Sequence, residues 1–203
     1  MKSLDVTSLE MRELYKLLVG AVSPRPIALV ATKGKEGLNL APFSFFNIVS
    51  VNPAMLMFSP LRRMRDGTQK DTYINLKDHP YCTIQIVTED VVEKVNQCSK
   101  DVPPEVNEFE LSGLNTIESD TIDIPRVKES PFQMECSVSQ IISLGEKGGA
   151  GNLVLCEIKK IHYDEKIMHE GNIDPNAVRL VGRNNASYYT RAFQSALFEL
   201  NRP

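Results

Sequence analysis

Apolar residues recur at helical spacing in only a few stretches; through most of the chain they alternate or cluster as strands do. Near the start, Leu9, Leu14, Leu17 and Leu18 follow a capping signal at Ser8, which predicts a short amphipathic helix over 8–20. Pro24 and Pro26 end it, since proline removes an N–H and turns the residue before it toward extended backbone. Residues 27–32 (Ile-Ala-Leu-Val-Ala-Thr) read as a strand, 33–37 as a polar hairpin loop, and 38–44 as the return strand. Asn52-Pro53 turns the chain into a buried strand over 54–59. A helix over 71–77 stops before His79-Pro80. The strand 81–88 then sets Cys82, Ile84 and Ile86 on one face, and a polar amphipathic helix over 89–100 carries Val91, Val92 and Val95.

From 101 to 131 the pattern fades, apart from one helical turn near 109–111. A loop of that length in a small domain is usually functional or mobile, so the excursion 97–131 is a candidate cover for the site. Alternation returns with Phe132, Met134, Cys136 and Val138. A Gly-rich hairpin tip over 145–152 and a return strand over 153–163 follow. A last short strand over 179–182 and a closing amphipathic turn or helix over 193–200 complete the reading. With no repeat and no linker, one domain spans 1–203. Six or so antiparallel strands with peripheral helices predict a mainly β protein built as a small barrel.

The length of 203 residues fits a single domain. Apolar residues at 42% and charged residues at 24% exclude a disordered or coiled-coil chain. A net charge of -3 excludes the basic surface of a non-specific nucleic-acid binder. No apolar run approaches the ~20 residues of a membrane helix, and residues 1–5 lack a signal-peptide pattern. Cys82, Cys98, Cys136 and Cys156 show no CxxC spacing and read as reduced thiols of a cytoplasmic protein. Three lie in apolar strands; Cys98, in a polar helix, is expected at the surface. His79, His162 and His169 form no pair at ligand spacing, so no metal is expected. The glycines of 145–151 lie between antiparallel strands with no helix after them, which makes a hairpin and not a pyrophosphate cradle.

Two segments could carry chemistry. In Asn39-Leu40-Ala41-Pro42-Phe43-Ser44-Phe45-Phe46-Asn47, small polar residues interleave with aromatics. That suits either a barrel strand with core aromatics or a site for a planar heteroaromatic ligand, its ring edge met by backbone groups. In the 62–72 segment, Arg62, Arg63, Arg65 and Lys70 precede a helix start at Asp71-Thr72. This is either a solvated basic loop with an ordinary N-cap or an anion site at a helix N-terminus.

Together with Pro24-Arg25-Pro26, the 27–32 strand, Asn52-Pro53, Phe58-Ser59 and Lys70-Asp71-Thr72, these runs closely resemble the flavin reductase-like, FMN-binding split-barrel family. That family includes flavoredoxins and reductase components of two-component monooxygenases. The resemblance is dense over 23–76, plausible over 132–190 and thin over 97–131. It implies a six-stranded antiparallel Greek-key split barrel, a homodimer, and FMN near the subunit interface. By position, Thr32 and the backbone of Ala41, Pro42, Phe43, Ser44 and Phe45 would hold the isoalloxazine. Ser59, Lys70 and Thr72 would hold the ribityl phosphate, with Asn47 a secondary contact. Where the family often has a glycine pair before a Tyr, this chain has Gly182-Arg183-Asn184-Asn185-Ala186-Ser187-Tyr188-Tyr189; asparagine tolerates the same left-handed backbone.

The function implied is an oxidoreductase that passes electrons from NADH or NADPH to FMN, and on to an acceptor or a partner monooxygenase. No catalytic side chain is needed, because the flavin carries the hydride. Arg62, Arg63 and Arg65 are candidates to attract the nucleotide phosphates. The rival reading is a non-catalytic FMN-binding electron carrier. A pyridoxamine-phosphate-oxidase-like or haem-handling barrel is disfavoured by the Phe43–Asn47 run and by the placing of the histidines.

Overall fold

In the computed structural model, which describes residues 1–201, strand β1 (Ala28–Gly34) is buried on both faces, and most of the core is arranged around it. Ala28 and Val30 face an interior cluster with Phe43, Leu56, Phe58, Ile84, Met134 and Val154. Leu29 and Ala31 face an outer cluster with Val95, Phe109, Ile124 and Val127. A strand covered on both sides reads as a continuous apolar run and not as an alternation, as 27–31 does.

The main sheet is antiparallel throughout. Its strands are β1, β2 (Gly37–Phe43), β3 (Phe46–Val51), β4 (Ala54–Phe58), β5 (Tyr81–Ile86), β8 (Phe132–Ser143) and β9 (Asn152–Tyr163). The order is β2-β1-β5-β8-β9-β4-β3, with the short ribbon of β6 (Thr116–Ile117) and β7 (Arg126–Val127) beside it. Two further ribbons pair β10 (Met168–His169) with β11 (Asn172–Ile173) and β12 (Val181–Arg183) with β13 (Tyr189–Arg191). The mainly β architecture is as expected, but the main sheet has seven strands instead of six. The added strand is β3, most of whose residues are exposed, so no apolar alternation marks it in the sequence.

Helix α1 (Met11–Ala21) starts three residues later than expected. The capping interaction belongs to Asp5, which holds a preceding 3-10 turn at Val6–Ser8. Its leucines do not form the buried face: Leu17 and Leu18 are exposed, and Val19 is the residue that packs inside. Helix α2 (Asp71–Asp78) lies where expected, while α3 (Val92–Gln97) is shorter than 89–100. The excursion is no free lid. Through α4 (Glu108–Ser112) and the β6–β7 ribbon it lays Phe109, Leu114, Ile124 and Val127 over the outer face of β1. Cys98 is correspondingly buried, its thiol beside the Glu108 carbonyl, and burial pushes that thiol's pKa up. After α5 (Pro175–Val178), the 193–200 tail forms only a 3-10 turn at Gln194–Ala196. Phe193 packs under the Arg179 guanidinium, but Phe198 and Leu200 find nothing to cover them.

Candidate functional site

The β2–β3 turn, the loop after β4, α1 and the 185–186 loop surround a cleft of about 840 Å³, within the ~300–1,000 Å³ of small-molecule sites. Pro42, Phe43, Ser44 and Phe45 form one wall, with Ser59 and Lys70 beside them. Among the described residues, the N–H groups of Ser44 and Phe45 take no part in backbone pairing, while the Phe45 carbonyl accepts from Ser59 N at 2.9 Å. The turn thus presents free donors next to an aromatic face.

At one end the cleft adjoins a polar annex of about 70 Å³ at the N-terminus of α2. Lys70, Asp71 and Thr72 line it together with Ala41, and its far side is residues 98–102 and Glu108. The first N–H groups of a helix have no partner within it, so Asp71 N and Thr72 N are free to meet an anion. Lys70, the N-cap residue, has no ion-pair partner among the described residues.

A buried polar network holds this end. The Thr72 hydroxyl donates to Asn39 Oδ1 at 2.7 Å, and Asn39 Nδ2 donates to Glu108 Oε1 at 2.9 Å. Leu40 N donates to Glu108 Oε2 at 2.9 Å. Burial raises the Glu108 pKa against the pull of those donors.

The arginines of the 62–65 loop are largely spent on structure. Arg62 donates to the Gly145 and Gly67 carbonyls at 3.2 and 2.9 Å. Arg63 bridges Asp71 and Asp101 at 3.0 and 3.2 Å and also donates to the Gln69 carbonyl. Arg65 pairs with Asp66 and Asp101 at 2.9 and 2.7 Å. The Gly-rich tip of the β8–β9 hairpin seats the loop. A Cβ at Gly148 would stand 2.7 Å from the Met64 carbonyl oxygen, so only glycine allows the two backbones this close.

Eight of the ten expected binding residues line one hollow or the other. Pro42, Phe43, Ser44, Phe45, Ser59 and Lys70 line the cleft, and Ala41 and Thr72 line the annex. Two do not. Thr32 is fully buried beneath α2, with its hydroxyl between Asn39 Oδ1 at 3.4 Å and Asn75 Nδ2 at 3.2 Å. Asn47 is exposed on β3, its side-chain Oδ1 accepting from Ile48 N at 2.8 Å.

Sequence reasoning missed the wall made by Arg12, Tyr15, Lys16 and Val19, which follow the i, i+3, i+4, i+7 spacing of one helix face. That polar-aromatic stripe was the available signal, but the leucines drew the reading to the other side. Arg25 was missed as well. Its buried guanidinium donates to the Val19 and Val22 carbonyls at 2.6 Å each, to the Asn184 carbonyl at 3.0 Å, and toward Ser44 Oγ at 3.4 Å. It therefore ties three walls of the cleft together, and burial lowers its pKa.

Away from the cleft, Asp120, Glu135 and His162 bring their ligand atoms within 4.8 Å of one another. The fully buried Glu135 carboxylate already accepts from Asp120 N, Thr121 N, the Thr121 hydroxyl and His162 Nε2. Burial pulls its pKa upward, but these partners outweigh burial and hold it at about 2. The cluster pins residues 120–121 to the sheet.

Three comparisons with known proteins agree. The model of the flavin reductase like domain matches residues 20–196. An uncharacterized protein of Halalkalibacterium halodurans is 38% identical over 203 residues, covering 98% of this chain and 96% of that protein. The structure of nitrilotriacetate monooxygenase component B from Bacillus cereus superposes with a TM-score of 0.92 at 34% identity, over 98% of each chain. That of the Pseudomonas fluorescens 2-nitrobenzoate 2-nitroreductase does so at 0.87 and 27% identity, over 100% of this chain and 96% of that one.

Proposed function

The chain belongs to the flavin reductase-like domain family, and from that premise we propose that it is an FMN-binding oxidoreductase that takes electrons from NADH or NADPH. The observation that carries the reading is the joining of an aromatic-walled cleft to a helix N-terminus with an unpaired lysine. A flavin mononucleotide has the matching parts: a planar ring and a phosphate at the end of a flexible chain. Bound FMN would supply the redox chemistry, accepting a hydride from the nicotinamide and releasing electrons to an acceptor.

The chain's own residues bind and orient. The free N–H groups of Ser44 and Phe45 are donors for the ring edge, and the half-buried Pro42 and Phe45 cover apolar surface. Lys70 and the N–H groups of Asp71 and Thr72 hold the phosphate by charge-assisted bonds and the helix dipole. Because the Thr72 hydroxyl proton is committed to Asn39, the contact from Thr72 is its backbone N–H. Thr32 acts beneath the site by supporting Asn39, and Asn47 is left as a contact at its edge. The walled annex favours FMN over FAD, whose second phosphate and adenosine would have to pass residues 98–102 and Glu108.

The reading extends to partners. Ile48, Val49 and Val51 are exposed on the edge strand β3, and Leu17, Leu18 and Val22 are exposed at the end of α1. A second copy covering these surfaces supports a homodimer, with total buried area above ~1,000 Å². Light scattering across micromolar concentrations tests it; a mass near 22.8 kDa throughout would refute it. Likeness to a monooxygenase component supports a separate monooxygenase as acceptor. Four free, buried cysteines suit a reducing cytoplasm, and no helix among the described residues is long and apolar enough to cross a membrane.

The central test is anaerobic stopped-flow mixing of the FMN-loaded protein with NADH and, separately, NADPH. Bleaching of the visible flavin band within seconds is expected. No bleaching with either nucleotide at millimolar concentration, while dithionite still reduces the flavin, would refute the reductase and leave an FMN-binding electron carrier.

A further inference from the structure

We propose that the α1 wall of the cleft is a recognition surface for the 2′-phosphate of NADPH, so that the protein discriminates against NADH. The inference rests on the reductase reading above and goes beyond it by choosing the nucleotide.

Charge allocation in the cleft carries the argument. Asp101 is the only carboxylate among the cleft-lining residues, and it is bonded to both Arg63 and Arg65. In the doubly wound dinucleotide folds an acidic side chain holds the adenosine ribose diol of NAD and a cation accommodates the 2′-phosphate of NADP; the same charge logic applies to any wall that meets that ribose. This cleft has no free acid to offer. Arg62 and Arg63 are fixed by loop carbonyls and by Asp71, and Lys70 is assigned by the reading above to the FMN phosphate.

Arg12 and Lys16 remain. They lie one turn apart on the face of α1 that lines the cleft, and neither has an ion-pair partner among the described residues. The acids of the same helix, Glu13 and its N-cap Glu10, are not among the lining residues. Tyr15, 41% exposed, lines the cleft from the same helix face and offers an aromatic surface suited to stacking an adenine ring. Two exposed cations and an exposed aromatic ring on one helix face match a phosphorylated adenosine ribose.

The test is calorimetric titration of the FMN-loaded protein with NADP⁺ and with NAD⁺, which reads binding without turnover. NADP⁺ should bind at least about tenfold more tightly, as expected for charge-assisted contacts to a phosphate dianion. The preference should shrink as salt rises, because both cations are solvent-exposed. In the Arg12→Ala/Lys16→Ala variant, NADP⁺ affinity should fall to that of NAD⁺, and Arg12→Lys should retain most of the preference. Thermal unfolding of each variant checks that the fold is kept. Equal affinity for the two nucleotides in the parent protein, or a preference unchanged in the double variant, would overturn this inference and leave the reductase reading standing. If neither nucleotide binds while FMN stays bound, this inference falls, and the anaerobic stopped-flow mixing decides the reductase reading separately.

Discussion

Removing the Arg25 side chain should loosen the cleft and weaken the fold together. Arg25 is 7% exposed, and its guanidinium donates to three carbonyls, at Val19, Val22 and Asn184. Hydrogen bonds from charged donors contribute about 1.5–3 kcal/mol each. Three of them set an upper bound of roughly 5–9 kcal/mol, from which the cost of burying the cation must be subtracted. That cost is visible in the lowered Arg25 pKa, whose leading cause is burial. A net loss of about 2–4 kcal/mol is therefore expected for Arg25→Ala, a size typical of a broken buried network. In a chain of this length it corresponds to a fall in melting temperature of roughly 4–16 °C, at about 2–4 °C per kcal/mol. Flavin fluorescence titration should show FMN and riboflavin weakened by similar factors, because the walls move and the phosphate annex does not. Arg25→Lys should rescue only part of the loss, since one ammonium cannot reproduce the planar fork. A variant that melts within about a degree of the parent and binds both flavins unchanged would refute the reasoning.

Three other perturbations separate the parts of the molecule. Lys70→Ala should weaken FMN by about 1–3 kcal/mol and leave riboflavin unaffected, by the same titration; equal weakening of both would remove Lys70 from the phosphate site. Glu135, held at about 2 in the folded protein against an ordinary 4.5, stabilises the fold above pH 4.5 and loses that contribution as pH falls toward 2. Glu135→Gln should cost up to about 3 kcal/mol at pH 7 and flatten the acid limb of the stability profile in urea titrations; a parallel profile would contradict the assignment. Gly148→Ala forces a methyl against the Met64 carbonyl oxygen and should cost about 1–3 kcal/mol. It should also weaken flavin, whereas alanine at Gly37, strained by a φ of +123° but away from the cleft, should lower stability and leave flavin binding intact.

What could be read from the chain depended on whether a segment's surroundings were local. Strand 27–32 was legible as a continuous apolar run, and 132–163 as two apolar-rich strands about a Gly-rich tip. β3 was not, since most of its residues meet solvent and its register with β4 is interrupted between Ile48 and Ser50. The leucines of α1 misled because helical spacing shows that a face exists but not which face has a partner. Pro42–Phe45, Ser59 and Lys70 were found through the motif they share with a family. Arg12, Lys16 and Arg25 were not, because their roles arise where α1 and the 184–186 loop approach the β2–β3 turn. Glu108 is the same case: nothing near it in sequence announces that it will bind the Leu40 N–H.

The central position of the β8–β9 hairpin has a consequence for biosynthesis. β8 pairs with β5 and β9 with β4, so the hairpin is what joins the two halves of the sheet. Yet it is translated after both. At about 5–20 residues per second, β4 leaves the ribosome some 5–20 s before β9 is available to pair with it. During that interval the nascent chain carries Leu56 and Phe58 on an unfinished edge, the kind of surface that recruits another chain's strand. Slow synthesis through residues 59–131 should therefore lower soluble yield more than slow synthesis after residue 163, even though the finished protein is the same.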